Sequence, residues 1–249
     1  MPELSVIIAT YNVERTIERL LDSLALQAFR DFEIIVIDGG SRDRSCEILA
    51  ARDAGELAYF VSEPDEGIYD AWNKGVKVAR GEWFVFIGAD DYLPDADCLQ
   101  RMADVAAAGR LNYVCGRAQL VDSDGRRVRI YGQPMRPMAL RGGMMVAHPG
   151  SWHSRVLFER VGNFDTRYRI AGDLDFLIRA RHILVPGFLD AVIIDVENAG
   201  VSYANFSRSV AEAAHTIRRH FVFGTLFAAY FMANLRLRRL AKRLLMIRA

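Results

Sequence analysis

The chain has 249 residues, of which 51% are hydrophobic and 25% are charged, a composition typical of a globular protein with a sizeable core. The net charge is +1, but nine Lys and Arg residues and one Glu follow residue 205, which leaves about −7 on the preceding part. We therefore expect no nucleic acid partner, because the acidic body would repel a phosphate backbone. The three cysteines lack metal-site spacing, which favours a reducing cytoplasm over a disulfide framework.

Short apolar runs alternate with segments of helical periodicity over the first 110 residues. The runs are rich in β-branched residues, and they predict strands at 4–9, 32–38, 57–61 and 83–87. Helices are predicted at 17–28, after a cap at Ser41 or Asp43, and at 69–79. This alternation indicates βαβ crossovers, and hence an α/β fold with a mainly parallel, Rossmann-like sheet flanked by helices.

The alternation weakens in the second half of the chain. The pattern there predicts a hairpin turn at 121–126, a glycine-rich loop at 142–150, a helix at 173–182 and a strand at 192–196.

The last 44 residues have a different character. Residues 221–235 are strongly apolar, but a membrane-spanning helix needs about twenty residues. Residues 235–246 alternate Leu with Arg and Lys, a basic amphipathic pattern that suits the surface of an anionic membrane. The alternative is a helix pair packed on the body of the protein or on a second subunit, which would make a homo-oligomer.

Polar clusters follow three of the predicted strands, at residues 10–12, 38–41 and 88–91. Ligands of open parallel sheets bind beyond the carboxyl ends of the strands, so three clusters together favour a binding site over three separate turns.

The clusters contain neither GxGxxG nor a Walker loop, which removes the main support for dinucleotide oxidoreductases and P-loop kinases. A bound diphosphate would then need Mn²⁺ or Mg²⁺, for which Asp90 and Asp91 offer carboxylate ligands. An Asp-rich turn remains the alternative for these two residues.

Four segments in order resemble the family-2 glycosyltransferases: residues 5–12, 36–43, 79–91 and 171–179. The resemblance spans roughly residues 4–185. It implies a GT-A fold at 1–205, with a nucleotide-sugar half at about 1–110, an acceptor half at about 111–205, and the basic helical tail at 206–249 as an addition. It also implies transfer of a sugar from a nucleoside diphosphate donor, of UDP or GDP, with inversion at the anomeric carbon.

The resemblance also implies roles for individual residues. Asp173 matches the catalytic base, and single-displacement inversion does require one carboxylate to deprotonate the acceptor hydroxyl. As the first acid of a helix, Asp173 has the role of an N-cap or of a first-turn acid as its alternative. Contacts to the donor are implied for Thr10, Tyr11, Asn12, Asp38, Gly88 and Ala89, with Asp90 as the last Asp of the metal-binding Asp-X-Asp motif.

This chain departs from the family at three positions. Gly88 and Gly39 stand where members usually or often have Asp, and Lys74 is the nearest cation where many have Arg. We therefore expect looser metal binding or reliance on Asp91, and the nucleobase is left open.

Five further candidate residues complete the predicted site. Residues 63–75 resemble a subset that acts in surface-polysaccharide assembly, and Asp70 and Asn73 would share a helix face toward the donor, with Lys74 beside them. His148 is a candidate metal ligand and Trp152 a candidate for stacking on a sugar ring. For each of them a structural role is the alternative.

The leading hypothesis is a sugar transferase of surface-polysaccharide biosynthesis, peripheral at the cytoplasmic membrane face, with a saccharide or polyprenyl-linked acceptor. A nucleotidyltransferase is the runner-up, although a Gly/Lys/Arg-rich loop is missing after the first strand. A non-catalytic carbohydrate- or membrane-binding relative is the third hypothesis, which the absence of Asp at position 88 keeps open.

Overall fold

A mixed sheet runs through the part of the chain that the computed structural model describes, which is residues 2–53, 55–122, 124–197 and 205–246, with side chains up to residue 236. Its eight strands are β1 (Leu4–Thr10), β2 (Phe32–Asp38), β3 (Tyr59–Ser62), β4 (Trp83–Gly88), β5 (Tyr113–Val121), β6 (Arg127–Tyr131), β7 (Trp152–Ser154) and β8 (Pro186–Glu197). The strand order is β3-β2-β1-β4-β7-β5-β6, and β8 pairs with β5.

The helices of the described residues cover both faces of the sheet. They are α1 (Ile17–Ala25), α2 (Ser45–Arg52), α3 (Ile68–Val78), α4 (Cys98–Ala107), α5 (Arg155–Val161), α6 (Gly172–Ala180), α7 (Phe206–His220) and α8 (Gly224–Met246), together with a 3-10 helix at Pro137–Gly142. The elements predicted for the first 90 residues are confirmed within a few residues at their ends. Neither α4 nor α5 was predicted, although the buried residues of α4 do recur at helical spacing.

The first four strands are parallel, as the sequence predicts. β1 lies between β2 and β4 and pairs in parallel with both. Helices cover both faces of the sheet, so β1 is apolar without alternation. Val6 and Ile8 face a core layer under α1 and α4. Ile7 faces a second core layer under α3 and α6. This arrangement fixes the edge at which the carboxyl ends of the strands meet.

The second half of the sheet is mixed. β7 lies antiparallel between β4 and β5, β6 is antiparallel to β5, and β8 is parallel to β5. The predicted hairpin turn connects β5 to β6, although Ser123 lies outside the described residues. The predicted loop at 142–150 is confirmed, and the predicted strand at 192–196 is the end of the longer β8.

The first C-terminal helix packs into the core of the protein. Ala213, Ala214 and Ile217 of α7 are buried in the core layer that α6 also lines. The division of the chain at residue 205 stays a prediction. α8 continues to Met246, and the side chains from Leu237 onward, which carry most of the predicted basic pattern, lie outside the described ones. Within the described residues, the model contains no helix with the length and hydrophobicity to cross a bilayer.

Asp175 joins α6 to α7 through a buried carboxylate. It accepts hydrogen bonds from Arg179 Nε (2.8 Å), Thr216 Oγ1 (2.9 Å) and His220 Nε2 (2.8 Å). Burial by itself would raise the pKa of Asp175, but these three donors lower it below the usual value.

We expect Asp175→Asn to lower the free energy of unfolding by about 3 kcal/mol at neutral pH, because a buried, paired charge is removed. The difference in unfolding free energy between wild type and variant should have its full size above the ordinary pKa of an Asp. It should disappear as the pH falls through the lowered pKa of Asp175. Urea unfolding at several pH values measures it, with the exposed Asp31→Asn as control. A loss that is the same at every pH would contradict this account.

Candidate functional site

The three polar strand-end clusters lie side by side, as predicted. In the β1–β2 register Thr10 is paired with Asp38, and in the β1–β4 register Ala9 is paired with Gly88. Neighbouring strands are about 4.8 Å apart, so the clusters form one continuous edge.

Asp38 organises the loop that follows β2. Its carboxylate is fully buried and accepts hydrogen bonds from the hydroxyls of Thr10 (2.9 Å), Ser41 (2.5 Å) and Ser62 (2.7 Å) and from the N–H groups of Gly40 (3.0 Å) and Ser41 (2.8 Å). Burial would raise the pKa of Asp38, but these donors lower it. Both oxygens are therefore engaged, and Asp38 contacts a nucleoside only by exchanging one of these bonds.

The loop after β1 is fastened to the same loop. Asn12 has a left-handed backbone (φ 52°), its N–H donates to Ser41 Oγ (2.8 Å), and its Oδ1 accepts from the N–H of Arg42 (2.8 Å). Tyr11, which precedes Asn12 in this loop, is 58% exposed. The structure thus presents the Tyr11 ring at the edge, where its predicted contact with a nucleobase stays a prediction.

Asp65 was missed by the sequence analysis. Its Oδ2 lies 2.6 Å from the position that a Cβ on Gly39 would take, while Oδ1 accepts from the N–H of Gly67 (2.7 Å). The carboxylate of Asp65 thus fills the space that the missing side chain at position 39 leaves. A residue from another loop gave no sequence signal, because only the fold brings it there.

The carboxylates of Asp90 and Asp91, in the turn after β4, lie against the backbone of Gly88. A Cβ at that glycine would lie 2.8 Å from Asp90 Oδ1 and 3.1 Å from Asp91 Oδ2. Burial raises the pKa of both carboxyl groups, and for Asp91, which is 5% exposed, the neighbouring Asp90 raises it further. Ala89, which lies between Gly88 and Asp90, is buried in the core layer under α1 and α4, so its side chain makes no part of the edge.

Arg19 of α1 is the cation nearest to this turn. It donates to the backbone oxygen of Asp90 (3.0 Å), forms an ion pair with Glu197 (2.7 Å), and lies 4.2 Å above the ring of Tyr92. Since its charge is shared with Glu197, Arg19 does not neutralise the acidic pair. Two carboxylates short of positive charge fit a divalent cation by their chemistry.

The predicted third ligand, His148, is not part of a metal cluster. No group of three or more His, Cys, Asp or Glu among the described residues is arranged to hold a metal ion. The ring of His148 is 5% exposed and stacks near Trp72 and Phe86, and its Nδ1 lies 3.9 Å from Asp173 Oδ2. Burial lowers the pKa of His148 in spite of Asp173, so the ring is neutral at pH 7. The metal-ligand prediction is wrong because the residue packs beneath Asp173.

Asp173 stands in the first turn of α6 with a partly exposed carboxylate. Its Oδ1 accepts hydrogen bonds from the N–H of Leu174 (2.8 Å) and from the hydroxyl of Tyr69 on α3 (3.3 Å), which also donates to the carbonyl of Ile170 (2.7 Å). Asp173 is therefore not the N-cap, a position that Ala171 occupies. Tyr69 was not predicted; it connects the nucleotide half directly to the candidate base.

The acidic turn and Asp173 belong to the same face of the sheet. Phe84 and Phe86 of β4 lie in the core layer that α3 and α6 cover, and Gly88, two residues further on, points to that same face. The geometry thus places a candidate cation site and a candidate base on one side of the strand ends.

Two predicted donor contacts are structural instead. The side-chain amide of Asn73 holds the backbone of Phe164 through two hydrogen bonds (2.9 and 3.0 Å), so it is not free to contact a donor. Trp152 is fully buried against Trp83 and Phe29 in the opposite core layer and cannot stack on a sugar.

Asp70 and Lys74 keep accessible surface at the start of α3. Their ion pair spans 3.5 Å, and Lys74 also pairs with Glu63 (2.9 Å). A contact of these two residues with the donor stays a prediction.

Comparison with known proteins identifies the family. The model of glycosyl transferase family 2 matches residues 5–169. A PGL/p-HBAD biosynthesis glycosyltransferase of Mycobacterium bovis is 33% identical over 203 residues, which are 80% of this chain and 78% of that protein.

Solved structures share the fold. Residues 1–349 of S. aureus TarS, in complex with UDP-GlcNAc, superpose with a TM-score of 0.71 at 22% identity over 93% of this chain and 72% of that one. The chain spans 43% of a longer TarS chain. The mannosyltransferase PcManGT of Pyrobaculum calidifontis, in complex with GDP-Man and Mn²⁺, gives a TM-score of 0.67 at 22% identity over 88% of this chain and 64% of that one. The predicted GT-A type of α/β fold is confirmed.

We expect Asp38→Asn to destabilise the ligand-free protein by about 2 kcal/mol, because the amide nitrogen cannot accept the hydrogen bonds that one of the two carboxylate oxygens accepts. Asp65→Asn, which disturbs a single backbone hydrogen bond, is the matched control and should cost less than about 1 kcal/mol. Urea unfolding without ligand measures both. An Asp38→Asn variant of wild-type stability that no longer binds nucleotide would instead make Asp38 a direct ligand contact.

Proposed function

Because the chain belongs to glycosyl transferase family 2 and is therefore a glycosyltransferase, we propose that it transfers a sugar with inversion from a UDP or GDP donor to a saccharide or lipid-linked saccharide. The feature that supports the proposal is that Asp90 and Asp91, beside Gly88 at the end of β4, lie on the face of the sheet that α6 with Asp173 covers. The glycolipid pathway named for the M. bovis relative supports a role in surface glycan biosynthesis. The family match gives no support to the nucleotidyltransferase or to the non-catalytic alternative.

Asp90 and Asp91 are the residues that would hold Mn²⁺ or Mg²⁺. Their raised pKa values indicate that the pair lacks positive charge, and the structural neighbour PcManGT was solved with Mn²⁺ and GDP-Man. When bound, such a cation offsets the negative charge of a leaving nucleoside diphosphate. Diphosphate oxygens and water would supply the remaining ligands, since Mg²⁺ in nucleotide sites typically keeps both.

Asp173 would act as the general base. Its Oδ1 is held by Leu174 and Tyr69, which leaves Oδ2 to accept the proton of the acceptor hydroxyl. The neutral ring of His148 behind Oδ2 adds no charge that would compete for that proton. Attack by the deprotonated oxygen opposite the leaving diphosphate inverts the anomeric carbon.

The function is tested with UDP-GlcNAc and GDP-mannose, each with and without Mn²⁺. We expect one donor class to raise the melting temperature and to be slowly hydrolysed, because binding only to the folded state stabilises it. Asp173→Asn should keep that stabilisation but lose about 100-fold or more in turnover, whereas Asp91→Asn should lose the Mn²⁺-dependent part of the stabilisation. The exposed Asp104→Asn is the control. Wild-type turnover in Asp173→Asn, or no stabilisation by any nucleotide, would contradict the proposal.

We further propose that the acceptor is presented at the cytoplasmic face of an anionic membrane, to which α8 docks peripherally. Four apolar side chains between 64% and 96% exposed form a stripe: Val222 and Phe223 just before α8, and Leu226 and Tyr230 in its first two turns. The opposite side of the helix, with Ala228 and Phe231, packs on the core of the protein. The exposed apolar side chains therefore do not serve the packing of α8 on the core.

Charge favours a lipid surface as the occupant of this stripe. Residues 221–235 contain no charged residue, and the exposed Arg218, Arg219 and Arg236 flank them. An apolar face bordered by cations suits an anionic bilayer, whereas monomeric proteins rarely expose such a stripe to water. A polyprenyl-linked saccharide acceptor would fit this position.

We expect the double variant Leu226→Glu/Tyr230→Glu to bind phosphatidylglycerol vesicles at least about tenfold more weakly in co-sedimentation, because two apolar side chains no longer enter the bilayer. Val128→Glu/Ile130→Glu on β6 adds the same charge to equally apolar, half-exposed positions and should bind like wild type. A wild-type dimer that only the α8 variant dissociates, with vesicle binding unchanged, would make the stripe a subunit interface and overturn the proposal.

A further inference from the structure

The carboxylate of Glu212, on α7, binds the loop that leads into α6, the helix that carries the candidate base Asp173. Its Oε2 accepts hydrogen bonds from three consecutive backbone N–H groups, those of Arg169 (3.0 Å), Ile170 (2.8 Å) and Ala171 (3.1 Å). Successive N–H groups that meet one anion form a cradle of the kind that binds phosphate or carboxylate. Here a carboxylate of the protein fills that cradle.

The carboxylate of Glu212 is held in its charged form. Burial would raise its pKa, but Arg208 Nε, which donates to Oε1 (2.8 Å), and the three backbone donors lower it below the usual value. The bonds to the loop are therefore charge-assisted, a class roughly twice as strong as neutral hydrogen bonds.

Tyr69 holds the same loop from the opposite side. Its hydroxyl donates to the carbonyl of Ile170 (2.7 Å), and its ring packs so closely on Gly172 that a Cβ there would lie 2.7 Å from a ring carbon. The loop is thus fixed between α3 of the nucleotide half and α7 of the acceptor half.

Asp173 follows this loop directly. Ala171, the last residue whose N–H reaches Glu212, is the N-cap of α6, and Asp173 lies two residues further on. A shift of the backbone at 169–171 would therefore move the carboxylate of Asp173 relative to the strand ends. Misplacement of a reacting group by about 1 Å costs on the order of 100-fold in rate.

We propose that Glu212 is a positioning residue for Asp173: it sets the loop before α6 and so places the base against the acceptor hydroxyl. The proposal rests on the proposed role of Asp173. Glu212 makes no hydrogen bond to Asp173 in the described structure and acts only through the backbone. It is not the only link between the two helices, because Thr216 and His220 bind Asp175 further along α6. Removal of Glu212 should then release the loop without detaching α7.

The test compares Glu212→Ala, Glu212→Gln and Asp173→Asn in full-length protein, with the exposed Glu159→Gln of α5 as control. The probe is hydrolysis of UDP-GlcNAc or GDP-mannose, whichever the wild type turns over with Mn²⁺. Affinity for the same donor is measured by calorimetry, and folding by thermal melting.

We expect Glu212→Ala to lower kcat about 100-fold with donor affinity within about twofold of wild type. Glu212→Gln keeps an oxygen for the three N–H groups but loses the negative charge, so its kcat should recover only to about tenfold below that of wild type. Glu159→Gln should behave as wild type.

Each other outcome decides against the inference. If Asp173→Asn is inactive but both Glu212 variants turn over like wild type, Glu212 does not position the base. If Glu212→Ala weakens donor binding as much as kcat, or Glu212→Gln loses as much as Glu212→Ala, the role is merely structural. If Glu212→Ala does not fold, the kcat and donor affinity of Glu212→Gln decide alone, and a wild-type kcat then overturns the inference. Full activity in Asp173→Asn would remove the proposed base itself, which is a separate failure.

Discussion

The parallel pairing of β1 with β2 and β4 is the constraint on which the whole site depends. It places Thr10 beside Asp38 and Ala9 beside Gly88, so that three loops leave the sheet at one edge. A shift of one residue in either register would separate these strand-end residues and would exchange side chains between the two core layers that cover β1.

The carboxylates at this edge divide into two groups by their surroundings. Asp38 has donors for both oxygens and a lowered pKa, and it therefore stabilises the loops without outside help. Asp90 and Asp91 face bare backbone at Gly88 and have raised pKa values, so the folded chain leaves their charge uncompensated. In physical terms the first carboxylate is satisfied within the fold, whereas for the acidic pair we propose a cation as the counter-charge.

Contacts from α3 and α7 fix the position of helix α6. α6 is held by Tyr69 from α3, by Glu212 from α7 near its start, and by Thr216 and His220 through Asp175 further along. The C-terminal segment therefore has two parts with different surroundings. α7 packs into the core through Ala213, Ala214 and Ile217, whereas Val222, Phe223, Leu226 and Tyr230 are exposed.

The sequence by itself determined the order of strands and helices in the first half, the three strand-end clusters and the family, because apolar periodicity and strand-end polar residues are local signals. It also singled out Asp90, Asp91 and Asp173 as candidate site residues, whose roles stay predictions. Only the tertiary structure decided which polar side chains are free: Asn73 is bound to Phe164, Trp152 is in the core, and His148 packs beneath Asp173. Asp65 and Glu212 reach the site from distant parts of the chain, so no local pattern announces them. Hydrogen-bond partners and burial depend on contacts between segments far apart in sequence, and these contacts exist only once the chain has folded.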